Sequence, residues 1–200
     1  MDKNIKIQEK PEWVSWEEIH KLLWESHASN RAHGICMRKP SLPGEEIKKE
    51  IGEEGVMIVA LDDKKLIGTA ALLKKHMHTW FGDGDYGYLC YASILPQYRG
   101  KNIYKDLCAK REELAKQRGL KELFMDTHHK NIHVINLLNK NGFIPVDIRI
   151  FHDHWNIVLF KWIDGCPYSY IRCRFEFVRR KMLLFSKYRV TKVLRKLHLA

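Results

Sequence analysis

Hydrophobic and polar positions follow two rhythms along this chain, one helical and one alternating or continuous. From Ser15 onward, Ile19, Leu22, Leu23 and Ser26 recur at helical spacing, with Ser15 able to cap and Glu17 and Glu18 in the first turn. A polar stretch containing Gly and Pro follows at 26–44, and 45–51 reads as a second short helix. Residues 56–61 form a continuous apolar run suited to a buried strand. Asp62-Asp63-Lys64-Lys65 then makes a turn, and 66–73 is the next strand, which predicts a β-hairpin. Gly82-Asp83-Gly84-Asp85 is a strong turn signal before a strand over 86–95 that Pro96 ends.

Over 104–118 the pattern is helical: Leu107, Cys108, Arg111 and Leu114 share one face, and Gly119 supplies the stop. A strand at 120–127 precedes a helix at 131–140 that Gly142 ends. Two further strands, 144–151 and 157–163, are joined by His152-Asp153-His154-Trp155-Asn156. Hairpins mixed with βα crossovers predict an α/β fold with a mixed sheet, and no internal repeat is visible.

Composition changes this picture only through charge. With 45% hydrophobic and 30% charged residues over 200, low-complexity disorder and a collagen-like fibre are excluded. The net charge of +11 suggests a polyanion binder until it is located. Residues 165–200 hold ten basic residues and one acid, Glu176, a balance of +9, whereas the first 164 balance at +2. The expected division is therefore a nearly neutral body at 1–164 and a basic tail at 165–200. The start, MDKNIKIQEK, lacks an apolar h-region, and no stretch approaches the ~18–20 apolar residues of a membrane span. Five cysteines (Cys36, Cys90, Cys108, Cys166, Cys173), odd in number and without C-x-x-C spacing, argue against a disulfide framework or a zinc site. The expectation is a cytoplasmic protein with reduced thiols.

The informative segment is Ile94-Leu95-Pro96-Gln97-Tyr98-Arg99-Gly100-Lys101-Asn102-Ile103-Tyr104, between a strand and a helix. A Gly-containing turn that opens a helix offers unpaired backbone N–H groups and the positive end of the helix dipole, a site for phosphate or pyrophosphate. Gly100 lets backbone approach a ligand, Asn102 tolerates a positive φ, and Arg99 and Lys101 add charge.

These residues resemble the GNAT family of N-acetyltransferases, whose P-x-Y-R-G-x-G-x-G/A pattern Pro96 to Tyr104 follows. A second family pattern, an Asn with Gly-Phe eleven residues later, is matched by Asn131 and Gly142-Phe143. The element order matches across roughly residues 13–163, and the tail lies outside the resemblance. The resemblance implies a mostly antiparallel mixed sheet flanked by helices, with a C-terminal basic amphipathic helical extension. It implies acetyl-CoA as cosubstrate and transfer of its acetyl group to a primary amine by direct attack. Arg99, Gly100, Lys101, Asn102, Ile103 and Tyr104 would cradle the pyrophosphate, and Ile94 with Ala92 would pair with the pantetheine arm. Asn131 would touch the cosubstrate or hold its own turn. Three departures stand out. Asn102 and Tyr104 occupy positions usually Gly and Gly/Ala, and Leu138 replaces a Tyr that often serves as general acid. A non-catalytic binding module of the same fold is the alternative that Leu138 leaves open.

Acetyl transfer needs a group to accept a proton and a donor for the developing oxyanion. In the family the two central strands splay at the thioester, which makes Tyr91 and Ser93 on one strand and His128 beyond the other the candidates. His128 suits base work because imidazole titrates near neutrality; ordering its loop is the other reading. His76, His78 and the His152-Asp153-His154 loop would shape the acceptor pocket, and H-x-H points both rings to one face. A solvated loop is the favoured reading there, and no metal is expected. The resemblance implies a small-molecule, amino-sugar or peptide amine as the acceptor.

In the tail, Ile171, Phe175, Val178, Met182 and Phe185 trace an apolar stripe flanked by arginines, resuming after Ser186 at Val190, Val193, Leu194 and Leu197. Three readings are open: packing on the sheet or a second copy of the chain, contact with an anionic membrane, or contact with another polyanion. No motif supports specific nucleic-acid binding.

Overall fold

In the computed structural model, residues 5–35, 41–151 and 154–196 are described, 187–196 of these by backbone alone. Seven strands, mostly antiparallel, are flanked by helices, the mixed α/β class expected from the pattern. The chain divides into two compact units, Met1–Leu123 and Phe124–Ala200, with the boundary inside a strand.

The first unit is built on four strands in the order β1 (Ile5–Glu9), β2 (Val56–Asp62), β3 (Lys65–Thr79) and β4 (Gly82–Ile94), each antiparallel to the next. Strand β2 is buried from Val56 through Leu61, as a continuous apolar run requires. Helix α1 (Trp16–Ser26) starts at a capping box: Ser15 Oγ accepts the Glu18 N–H at 3.1 Å, and Glu18 accepts the Ser15 N–H at 2.8 Å. Those bonds hold the Glu18 carboxyl below its ordinary pKa. Ile19, Leu22 and Leu23 form its buried face. A short α2 (Ala28–Ala32) follows, then α3 (Gly44–Ile51), which packs on α1, and α4 (Ile103–Gln117).

The second unit begins within β5 (Glu122–His128) and continues through α5 (Ile132–Lys140), β6 (Ile144–Ile150), β7 (Trp155–Trp162) and α6 (Tyr170–Lys196). Strand β7 lies between β5 and β6 and runs antiparallel to β6. Phe124 and Phe160 stack at 5.4 Å in its core.

Three expectations are corrected. Strand β1 was not expected, because IKIQE is short and sits among charged residues. The polar stretch after Ser26 contains α2, whose His33 and Gly34 N–H groups find partners within its own turn. The Gly82–Asp85 turn signal is overridden: those residues pair with 76–79, and the turn falls at Trp80-Phe81. Cross-strand charge decides it, since Lys74 meets Asp85 at 2.8 Å and His76 and His78 each meet Asp83 at 2.9 Å. Both histidines do share one face. His152 and Asp153 lie outside the described residues, as does Cys36.

Candidate functional site

In the first unit the site starts at a fault in β4. Thr69 pairs with Ser93 and Ala71 with Cys90, so Tyr91 and Ala92 together stand opposite Ala70. This is a β-bulge, and Tyr91 carries the positive φ of 53° that it demands. A tyrosine there costs about 1–3 kcal/mol. The buried Thr69 helps to hold it, donating from Oγ1 to the Tyr91 carbonyl at 2.8 Å. Because cross-strand partners share a face, Ser93 projects on the same side as Cys90, three residues before it. The Tyr91 hydroxyl donates to the Glu50 carboxylate, which Lys75 approaches at 3.6 Å.

Beyond β4, a 3₁₀ turn at Pro96–Tyr98 leads into α4. Tyr98 is buried and donates to Asp62 Oδ2 at 2.9 Å, fixing the turn's base. Gly100 then adopts φ +79° and Asn102 φ 60°, two left-handed residues that fold the chain back into the helix. Open space surrounds the position a Gly100 side chain would occupy. The first α-helical bond into α4 runs from the Asp106 N–H to the Asn102 carbonyl. The Ile103, Tyr104 and Lys105 amides thus precede the hydrogen-bonded part of the helix, at its positive end. Lys101 lies 5.2 Å from the Tyr98 ring, beside this turn. Such an array fits an anionic phosphate. Tyr104 keeps its bulk away from the surface: its hydroxyl is buried, and burial pushes its pKa up to about 12.

Arg99 ties this turn to the end of α1. Its Nη2 donates to the Ser26 carbonyl at 2.6 Å and its Nε to the Ile94 carbonyl at 3.2 Å. The next residue, His27, places Nε2 2.8 Å from Ser93 Oγ, while Asn30 Nδ2 lies 3.0 Å from its Nδ1. With that amide orientation Nδ1 accepts, so Nε2 holds the proton and donates to Ser93, whose own hydrogen is left to donate elsewhere. Desolvation, reinforced by Arg99 and Arg31, lowers the His27 pKa to about 4.

This has a measurable consequence. The folded pKa lies below the unfolded value near 6.5, so the unfolded chain binds more protons between about pH 6.5 and 4 and stability falls as pH drops through that window. The expected loss is about 3 kcal/mol. Urea unfolding of the wild type and His27→Gln at pH 7 and pH 4.5 should show a flatter pH response in the variant; equal slopes would refute the assignment.

In the second unit, His128 is buried at the end of β5, and its Nδ1 accepts the Lys130 N–H at 3.1 Å. Its ring stacks with His129 at 4.5 Å and His154 at 5.0 Å. With Nδ1 engaged, the neutral ring carries its proton on Nε2, and work as a base requires breaking the Lys130 bond. Asn131 donates from Nδ2 to Thr127 Oγ1 at 3.3 Å, and its N–H bonds the His128 carbonyl at 2.9 Å, bracing the turn.

Residues 16–143 match the model of the acetyltransferase (GNAT) family. The chain belongs to this family. Among solved structures, a GNAT acetyltransferase-like fold recurs at low identity. The PaiA N-acetyltransferase from Thermoplasma acidophilum, in complex with coenzyme A, is 21% identical with TM-score 0.57, covering 80% of this chain and 99% of its own. A GNAT family acetyltransferase from Elizabethkingia anophelis with acetyl-CoA bound is 17% identical with TM-score 0.58, covering 81% and 99%. An aminoglycoside 6'-acetyltransferase type Ii is 17% identical with TM-score 0.62, covering 81% and 99%. No curated protein matches the chain in sequence.

Within the GNAT frame, His27, Glu50 and Thr69 are the contacts that sequence reasoning missed. His27 lies just past the α1 stripe, and Glu50 and Thr69 reach Tyr91 from 41 and 22 residues away in sequence. No spacing signal announces such contacts.

Proposed function

We propose that this acetyltransferase uses acetyl-CoA as cosubstrate and transfers the acetyl group to a primary amine by direct attack. The observation that carries this reading is the left-handed turn from Gly100 to Asn102, which aims the first amides of α4 at a place for a pyrophosphate. Acetyl-CoA and coenzyme A in the Elizabethkingia and Thermoplasma structures support it, and the aminoglycoside acetyltransferase supports a small-molecule amine, with amino-sugar and peptide amines in the same chemical class.

Acetyl-CoA supplies an activated thioester carbonyl; the chain binds, orients and moves protons. Gly100, Lys101, Asn102, Ile103 and Tyr104 hold the phosphates, mainly by backbone N–H groups, with Arg99 steadying the turn, since its own N–H is taken by the Pro96 carbonyl and its guanidinium by Ser26 and Ile94; Ala92 and Ile94 guide the pantetheine arm along β4. Ser93, polarised by His27, is the donor toward charge developing on the oxyanion or the departing sulfur. The Tyr91 hydroxyl already donates to Glu50, which suits a positioning part. His128 receives the amine proton only by releasing Lys130. Leu138 is 1% exposed and has no proton to give, so another group must serve, which raises the alternative of a non-catalytic cosubstrate-binding module.

Release of free thiol from acetyl-CoA, followed over a panel of aminoglycosides, polyamines, amino sugars and peptides, separates the two. Turnover with at least one amine, lowered roughly 100-fold in kcat by Ser93→Ala with acetyl-CoA affinity retained, is the expected result. Tight acetyl-CoA binding with no turnover across the panel would leave the binding-module reading standing instead.

A further inference from the structure

Helix α6 has one buried side and, opposite it, an exposed apolar row. The buried side seats it on β6: Cys173 is fully buried, and Arg180 donates to Asp147 at 2.6 Å. Phe185 ends the exposed row at its edge, where it meets the Trp155 ring of β7 edge-on at 5.5 Å. The outer row is Ile171, Phe175, Val178 and Met182, spaced four, three and four, and these side chains remain 79%, 65%, 43% and 68% exposed. At 3.6 residues per turn, Arg174 borders this row on one side and Arg172 and Arg179 on the other. The outer stripe is not what anchors the helix, because the opposite face already does so. A contiguous row of large apolar side chains in water marks a contact surface.

Charge selects the occupant. The segment 165–200 has ten cations and one acid, and that acid, Glu176, is taken by Arg179 at 2.8 Å. Pairing this face with a second copy would set Arg172, Arg174 and Arg179 of one helix against the same arginines of the other. A nucleic acid would engage the arginines through phosphates but leave the apolar row in water. An anionic bilayer uses both, taking the row into its acyl boundary and the arginines among its headgroups. Among the described residues no helix is long and apolar enough to cross a membrane, so the contact is in-plane. We propose that the outer face of α6 docks this protein on the surface of an anionic phospholipid membrane. The family match ends at residue 143, before this helix begins.

The test is flotation of the full chain with phosphatidylcholine vesicles, alone or with about a third phosphatidylglycerol. The protein should float with the anionic vesicles and stay behind with the neutral ones. The double variant Phe175→Ser, Met182→Ser should lose roughly tenfold or more in partitioning, since two large side chains no longer enter lipid. Both are exposed, so its melting temperature should match the wild type. Arg172→Gln with Arg174→Gln should weaken binding by roughly fivefold per cation. Failure to float with anionic vesicles would overturn the proposal. So would unchanged flotation of the serine variant, which would mark plain polyanion attraction. A wild-type dimer that this variant converts to monomer, without vesicle binding, would assign the stripe to a second copy.

Discussion

Gly100→Val is expected to bind acetyl-CoA roughly 10- to 100-fold more weakly than the wild type in isothermal titration. Gly100 sits at φ +79°, where a β-branched residue is strained by about 1–2 kcal/mol even though nothing crowds its side-chain position. The variant backbone therefore leaves the left-handed region, and the Lys101 to Tyr104 amides turn away from their common target. Gly119, at φ +68° beyond the other end of α4 and in equally open space, is the matched control. Gly119→Val carries the same strain, so it should cost comparable stability while acetyl-CoA binding stays intact. Undiminished binding by Gly100→Val would remove this turn from the site.

Gly44→Ala should destabilise the protein by about 3 kcal/mol, a fall in melting temperature of roughly 6–12 °C. A methyl group at Gly44 would lie 2.7 Å from the Trp16 carbonyl carbon, 2.8 Å from its oxygen and 2.9 Å from the Glu17 nitrogen. All three are backbone atoms of the first turn of α1, so no rotamer change relieves the contact, and α1 or α3 must shift as a whole. The same helix carries Ser26 and His27 at its far end, so acetyl-CoA affinity and any turnover should fall together with stability. Gly84→Ala, whose added carbon meets nothing within 4 Å, should leave the melting temperature unchanged. A stable Gly44→Ala protein would mean that α1 and α3 can separate freely.

What could be read from the chain differs between these features for physical reasons. The left-handed turn before α4 was legible because only a few residue types tolerate positive φ, and Gly100 and Asn102 are two of them. Helix α1 was legible because Ser15 and Glu18 form a local box and its apolar face repeats cleanly. Strand β1 was not, since five residues with mixed charge give too little period, and the true β3–β4 turn was hidden by glycines that fit a turn equally well. The candidate site was half legible: Ser93 and Tyr91 could be named, but the His27 and Glu50 that set their hydrogen bonds arrive from distant segments. The outward row of α6 could be counted but not oriented. The apolar spacing alone does not say which side of the helix faces the core, and Asp147 on the neighbouring strand, bonded to Arg180, makes that choice. The side chains of Val190, Val193 and Leu194 and all of Leu197 lie outside the described residues.

The extra residue in β4 acts as a frameshift in the strand's inside–outside code. Ahead of it, faces alternate in one phase; from Ser93 onward they alternate in the other, with Thr69 holding the seam by its bond to the Tyr91 carbonyl. A chimera that borrowed β4 from a relative with a cut between Cys90 and Ser93 would join two phases and turn the hydroxyl to the wrong side, however similar the residues. Exchange of this segment is therefore expected to succeed only in blocks that move Thr69 and the whole stretch from Cys90 to Ser93 together.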